Sequence, residues 1–143
     1  MVEINGKAIE IMSPVGSYEA LHAAIQAGAG SVYFGIGKLN MRSRSSVNFN
    51  HDDLAKITEI CREHKVKSYL TVNTVVYNDE ITDVTELLDY AKVCSVSAII
   101  GSDFAVLEYA QKIGLEIHIS TQCNITNIEA VRFFSRYADV MVL

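Results

Sequence analysis

The chain has 143 residues, 50% of them hydrophobic and 20% charged, with one proline and a formal net charge of −5. That composition describes a folded domain and excludes a disordered segment. The acidic total argues against indiscriminate nucleic-acid binding while leaving room for a local basic site, and no apolar run approaches the roughly 20 residues that span a bilayer.

The opening stretch, MVEINGKAIEIMSP, has no basic region followed by an apolar one, so it does not read as a secretory signal. Short β-branched runs then alternate with longer amphipathic ones. The spacing predicts strands over Ile9–Met12, Val32–Phe34, Lys67–Asn73, Ala98–Ile100, Glu116–Ser120 and Val140–Leu143. Helices are predicted between them. Ser17–Ala27 has Ser17 as N-cap and Gly28 as its stop. Asp52–His64 carries Leu54, Ile57 and Cys61 at helical period, with Asp52 and Asp53 complementing its N-terminus. Asp79–Val93, Phe104–Ile113 (stopped by Gly114) and Ile128–Tyr137 complete five.

Strand alternating with helix implies right-handed βαβ units and a parallel sheet. The first turn reads SPVGS, not the G-x-G-x-x-G of a dinucleotide site. Strand parity favours a barrel. Glu10, Tyr69, Thr71, Asn73, His118 and Ser120 fall on one face and aliphatic residues on the other, whereas a doubly wound sheet is apolar on both. The chain is therefore read as an α/β protein, residues 1–143 forming the N-terminal six strands and five helices of a TIM-type (βα)8 barrel, truncated, with the remainder absent. Two unpaired sheet edges predict self-association.

Barrel active sites gather at the carboxyl ends of the strands. The loop after the second strand, GIGKLNMRSRSSVNFN, lies there. It carries Arg42 and Arg44 in a stretch free of acids from Glu19 to Asp52. Arg captures carboxylate or phosphate with two bonds, but solvated loop arginines are as common. Asn73, Gln122 and Asn124 end strands at the same mouth and could orient a substrate by hydrogen bonds.

No protease or zinc motif is present, so no residue is assigned as catalytic. Asp103, Cys123 and His118 are the ones to weigh. Asp103 ends a strand where acid–base groups sit, yet it also precedes an apolar helix that needs a cap. Cys123 and His118 are five apart, so their side chains point to opposite faces. Glu10 falls low in the barrel, where the bland reading pairs it with Lys67 on a neighbouring strand. Tyr33 and Tyr69 belong to the lumen or core, and His22, His51 and His64 to helices. Cys61, Cys94 and Cys123 are odd in number and widely spaced, which fits reduced thiols in a cytoplasm and offers no metal spacing.

Four segments together carry a resemblance: SPVGSYEALHAAIQAGAGSVYFGIGKLNMRSRSSVNF, YLTVNT, AIIGSD and HISTQCNITNIEA. In this order they resemble the N-terminal half of the collagenase-like peptidase family U-32, from about Ile9 to Leu143. SPVGS stands where many members have APAGS, Gly101-Ser102-Asp103 where many have Val-Gln-Asp, and Cys123 where Met or Leu is common. The resemblance implies a barrel-like domain and two activities. One is the collagen-degrading peptidase of the family name, whose catalytic type is unassigned. The other is oxygen-independent hydroxylation, of pyrimidines in ribosomal or transfer RNA or of ubiquinone precursors. It also implies an iron–sulfur cluster on four downstream cysteines, none of which is Cys61, Cys94 or Cys123. The expectation is an RNA-modifying hydroxylase in the full-length protein, a fragment inactive alone and without cofactor, an RNA or peptide substrate, a cytoplasmic setting and no membrane contact.

Overall fold

A computed structural model describes residues 2–4, 7–40 and 49–143. A short antiparallel hairpin comes first, β1 (Val2–Ile4) against β2 (Lys7–Ile9). Six parallel strands follow: β3 (Met12–Pro14), β4 (Ser31–Gly35), β5 (Lys67–Val72), β6 (Ala98–Gly101), β7 (Ile117–Ile119) and β8 (Val140–Met141). They lie side by side in chain order. Five helices connect them: α1 (Tyr18–Gln26), α2 (Asp53–Glu63), α3 (Ile81–Val93), α4 (Phe104–Ile113) and α5 (Ile128–Phe134). Because each crossover steps the same way and has the same hand, the helices collect on one face.

That face holds the core. Val32, Phe34, Leu70, Val72, Ile99, Ile117 and Ile119 point toward the helices and are 0–2% exposed. They meet Leu21, Leu54, Ile57, Val84, Leu88, Val106 and Leu107 from α1 to α4. The opposite face carries the polar series foreseen from parity, and it is concave. Strands two apart in a flat sheet are separated by about 9.5 Å. Here the Tyr69 hydroxyl donates to Glu10 Oε1 at 2.8 Å across β4, the Tyr69 and His118 rings stand 4.7 Å apart across β6, and Asn73 Nδ2 donates to Ser120 Oγ at 3.3 Å, again across β6. Side chains this short meet only if the sheet curls toward them. The fold is a half-barrel of the α/β type.

Local chemistry sets the element ends. Ser17 Oγ accepts from Ala20 N and caps α1; Gly114, at φ 70°, closes α4 in the left-handed conformation that favours glycine. Two expectations need correction. The predicted first strand, Ile9–Met12, is displaced. Ile9 belongs to the hairpin, the barrel strand starts at Met12, and Ile9 and Ile11 are each 42% exposed rather than core. Helix α5 stops at Phe134, not Tyr137, where the Ser135 hydroxyl donates to the Arg132 carbonyl. Asp52 and Asp53 stand at the N-terminus of α2 as expected, where Asn50 Oδ1 accepts from both their amides and the Asp53 carboxylate accepts from Asn50 N.

Candidate active site

The carboxyl ends of β4, β5, β6 and β7 surround two adjoining cavities. The first, of about 270 Å³, is lined by Tyr33, Asn40, Thr71, Asn73, Thr121 and Gln122 together with the backbone of Phe34 and Gly35. The second, of about 390 Å³, is lined by Asn73, Val75, Asp103, Gln122, Cys123 and Phe134 among others. Asn73 and Gln122 form the wall that the two share.

Parity puts Asn73 on the concave side, one step past β5, and the Ser120 hydroxyl holds it there. Gln122 sits on a single 3-10 turn, Thr121–Cys123, and its backbone amide donates to Ser120 Oγ at 3.3 Å. Asn124 ends that turn at φ 49° and donates its amide to the Gln122 carbonyl, so it shapes the turn and lines neither cavity. Arg42 and Arg44 lie outside the described residues. The described residues flanking them are at this mouth: Asn40 lines the first cavity, and Phe49 bridges to Ile36 just after β4.

The residues weighed for catalysis are held in structural bonds. Asp103 caps α4, accepting from Ala105 N at 2.9 Å, while its second oxygen accepts from Val76 N at 3.1 Å. The Cys123 thiol lies 3.6 Å from the Ser102 carbonyl, and burial pushes its pKa up, away from the thiolate. His118 does not join it. Its Nε2 is 2.8 Å from Glu116 Oε1 and its ring leans on Tyr69, at the lumen floor. On that floor Lys67 Nζ and the Tyr69 hydroxyl both reach Glu10 at 2.8 Å. The bond from Lys67 is the main cause that holds the Glu10 carboxyl below its ordinary range. Lys67 stands two strands from Glu10, not on the neighbouring strand.

Sequence reasoning missed Asn40. It is 1% exposed, and its Nδ2 donates to the Gly37 carbonyl at 3.2 Å. Its carboxamide lies flat on Gly35, where a Cβ would fall inside it. A polar loop residue has no periodicity, so the only signal was a glycine ending a strand.

The cysteines do not fit a shared cluster. Cys61 is buried in α2 with its pKa pushed up to about 11, Cys94 follows α3, and Cys123 is at the mouth. Among the described residues no three His, Cys, Asp or Glu side chains converge on one point, and no helix is long and apolar enough to cross a membrane.

The sequence model of peptidase family U32 matches residues 16–141. The chain belongs to this family. A collagenase of Porphyromonas gingivalis is 59% identical over 140 residues, which are 98% of this chain and 34% of that protein. The tRNA hydroxylation protein P1 of Bacillus subtilis is 28% identical over 138 residues, covering 92% of this chain and 32% of its own length. The chain thus spans about a third of the length of these curated relatives. Among solved structures, the U32 peptidase Mk0906 superposes with a TM-score of 0.77 at 14% identity, over 99% of this chain and 60% of that one. That likeness is one of fold, and it agrees with the half-barrel.

Proposed function

We propose that this half-barrel is the substrate-positioning part of an RNA-modifying enzyme that hydroxylates a pyrimidine. The first cavity is the seat of the base. One observation carries the reading: the cavity at the strand ends is walled by amides and hydroxyls, while the candidate nucleophile and acids beside it are engaged in caps and turns. A wall of Asn, Gln and Thr suits an uncharged ring whose edge both donates and accepts. The tRNA hydroxylation protein of B. subtilis supports it from the family side. The iron–sulfur cluster expected of such an enzyme would be held by residues other than Cys61, Cys94 and Cys123. Arg42 and Arg44 are proposed to contact phosphate, and the setting is cytoplasmic.

The test is nucleoside mass spectrometry of RNA from cells with and without the gene. Loss of one hydroxylated pyrimidine is the expected result; an unchanged profile removes the reading. A second reading, a true peptidase, rests on the 59% identity to a protein named collagenase. It requires that the purified protein cleave gelatin and that Asp103→Asn or Cys123→Ala abolish the cleavage. We further propose that the 143 residues alone self-associate through β3 and β8, where Met12 and Val140 are exposed. Light scattering of the purified chain measures this directly.

A further inference from the structure

Thr71 lies on the concave side of β5 between Gly35 on β4 and Ile100 on β6. Neither neighbour offers its side chain a polar partner: one has none and the other is aliphatic. The Thr71 hydroxyl is buried and makes no hydrogen bond among the described residues. An unmade bond of this kind costs about 1–3 kcal/mol. Only Ser31 Oγ shares the condition among the described residues. It falls outside hydrogen-bond geometry yet stands near enough to Glu10 to favour the charged carboxylate. Thr71 forms part of the wall of the first cavity.

The residue is partly exposed although Oγ1 is not. Rotation about χ1 exchanges methyl and hydroxyl between staggered wells. The space into which the hydroxyl would turn is the first cavity itself. Across from Thr71 the Asn40 carboxamide takes the place a Gly35 side chain would fill and lines the same cavity. A residue chosen only to pack at this position would be valine, which has the same shape and no unpaired group.

We infer that Thr71 is a ligand-contacting residue of the first cavity, its hydroxyl bonding the polar edge of an uncharged, amide-type ring. This rests on the hydroxylase reading for the identity of that ring as a pyrimidine. The hydroxyl is idle without ligand and is satisfied by it, so its worth appears in binding and not in folding.

The experiment measures binding of cytidine and uridine to the full chain by calorimetry, and thermal unfolding without ligand, for wild type, Thr71→Val and Thr71→Ser. Thr71→Val should unfold at the same temperature or higher and bind the nucleoside about fivefold more weakly. Thr71→Ser should bind as wild type does. N-acetylalanine amide serves as the peptide probe. Binding of that probe and of neither nucleoside, with the same loss in Thr71→Val, keeps Thr71 as the contact and overturns the pyrimidine reading. Equal binding by Thr71→Val, a lowered unfolding temperature in that variant, or no binding of any probe by wild type overturns the assignment of Thr71.

Discussion

Lys67 and Glu10 meet at 2.8 Å although β4 runs between the strand of one and the segment that carries the other. The same carboxylate takes the Tyr69 hydroxyl. Three side chains thereby tie the start of the sheet to its middle at the lumen floor. A carboxyl held below its ordinary value near 4.5 contributes stability that is present above that value and is lost as pH falls through the lower, folded one. Lys67 is raised, chiefly by its bond to Glu10, so its share is present below 10.5 and is lost as pH rises through the folded value. Glu10→Gln should therefore be less stable than wild type at neutral pH, and the gap should shrink below pH ~4. Urea midpoints at pH 7 and pH 3 measure it; an equal gap at both would show that the ion pair contributes nothing.

Gly35 is required by the Asn40 carboxamide, not by its backbone angle. A Cβ there collides with the amide itself. Gly35→Ala should cost about 1–3 kcal/mol, the usual cost of overpacking. Asn40→Ala removes the obstacle, so the double variant should be more stable than the sum of the two single losses. Additive losses in a double-mutant cycle would mean that the two residues do not touch.

Asp103 joins the cap of α4 to the loop after β5 through two backbone amides. Asp103→Ala should lower stability by about 1–2 kcal/mol. Asp103→Ser, which keeps a capping oxygen but cannot reach Val76 as well, should fall between alanine and wild type. If alanine unfolds at the wild-type midpoint, the cap is idle and the acid–base reading of Asp103 gains ground.

Cys61 and Cys123 are both pushed up by burial. At pH 7.4 Cys123 should react with iodoacetamide more slowly than glutathione does, and Cys61 should label only as the chain unfolds. Mass spectrometry of partly labelled protein gives both rates. Fast labelling of Cys123 would mark it as an activated thiol and favour the peptidase reading.

Most of the barrel was legible because its signals are local. Ser17, Asp103 and Gly114 mark helix ends by their own chemistry, and parity separated Tyr69, Thr71 and Asn73 from Leu70 and Val72. The first strand was misplaced because Ile9, Glu10, Ile11 and Met12 alternate as well as any strand, and nothing local says that Ile9 pairs backward with Val2. The mouth was half legible. Asn73 and Gln122 were found because strand ends are where barrels bind. Asn40 was missed because its contact is with an absent side chain. His118 and Cys123, close in sequence, part company at the 3-10 turn.

The order of the strands has a consequence for synthesis. Each pairing joins segments consecutive in the chain, so Met12 meets Ser31, Ser31 meets Lys67, Tyr69 meets Ala98 and Ile99 meets Ile117. No strand waits for a partner from the far end of these residues. Loops closed between near neighbours cost the least chain entropy. The sheet can grow one strand at a time as the polypeptide leaves the ribosome, each new βα unit docking on a finished edge.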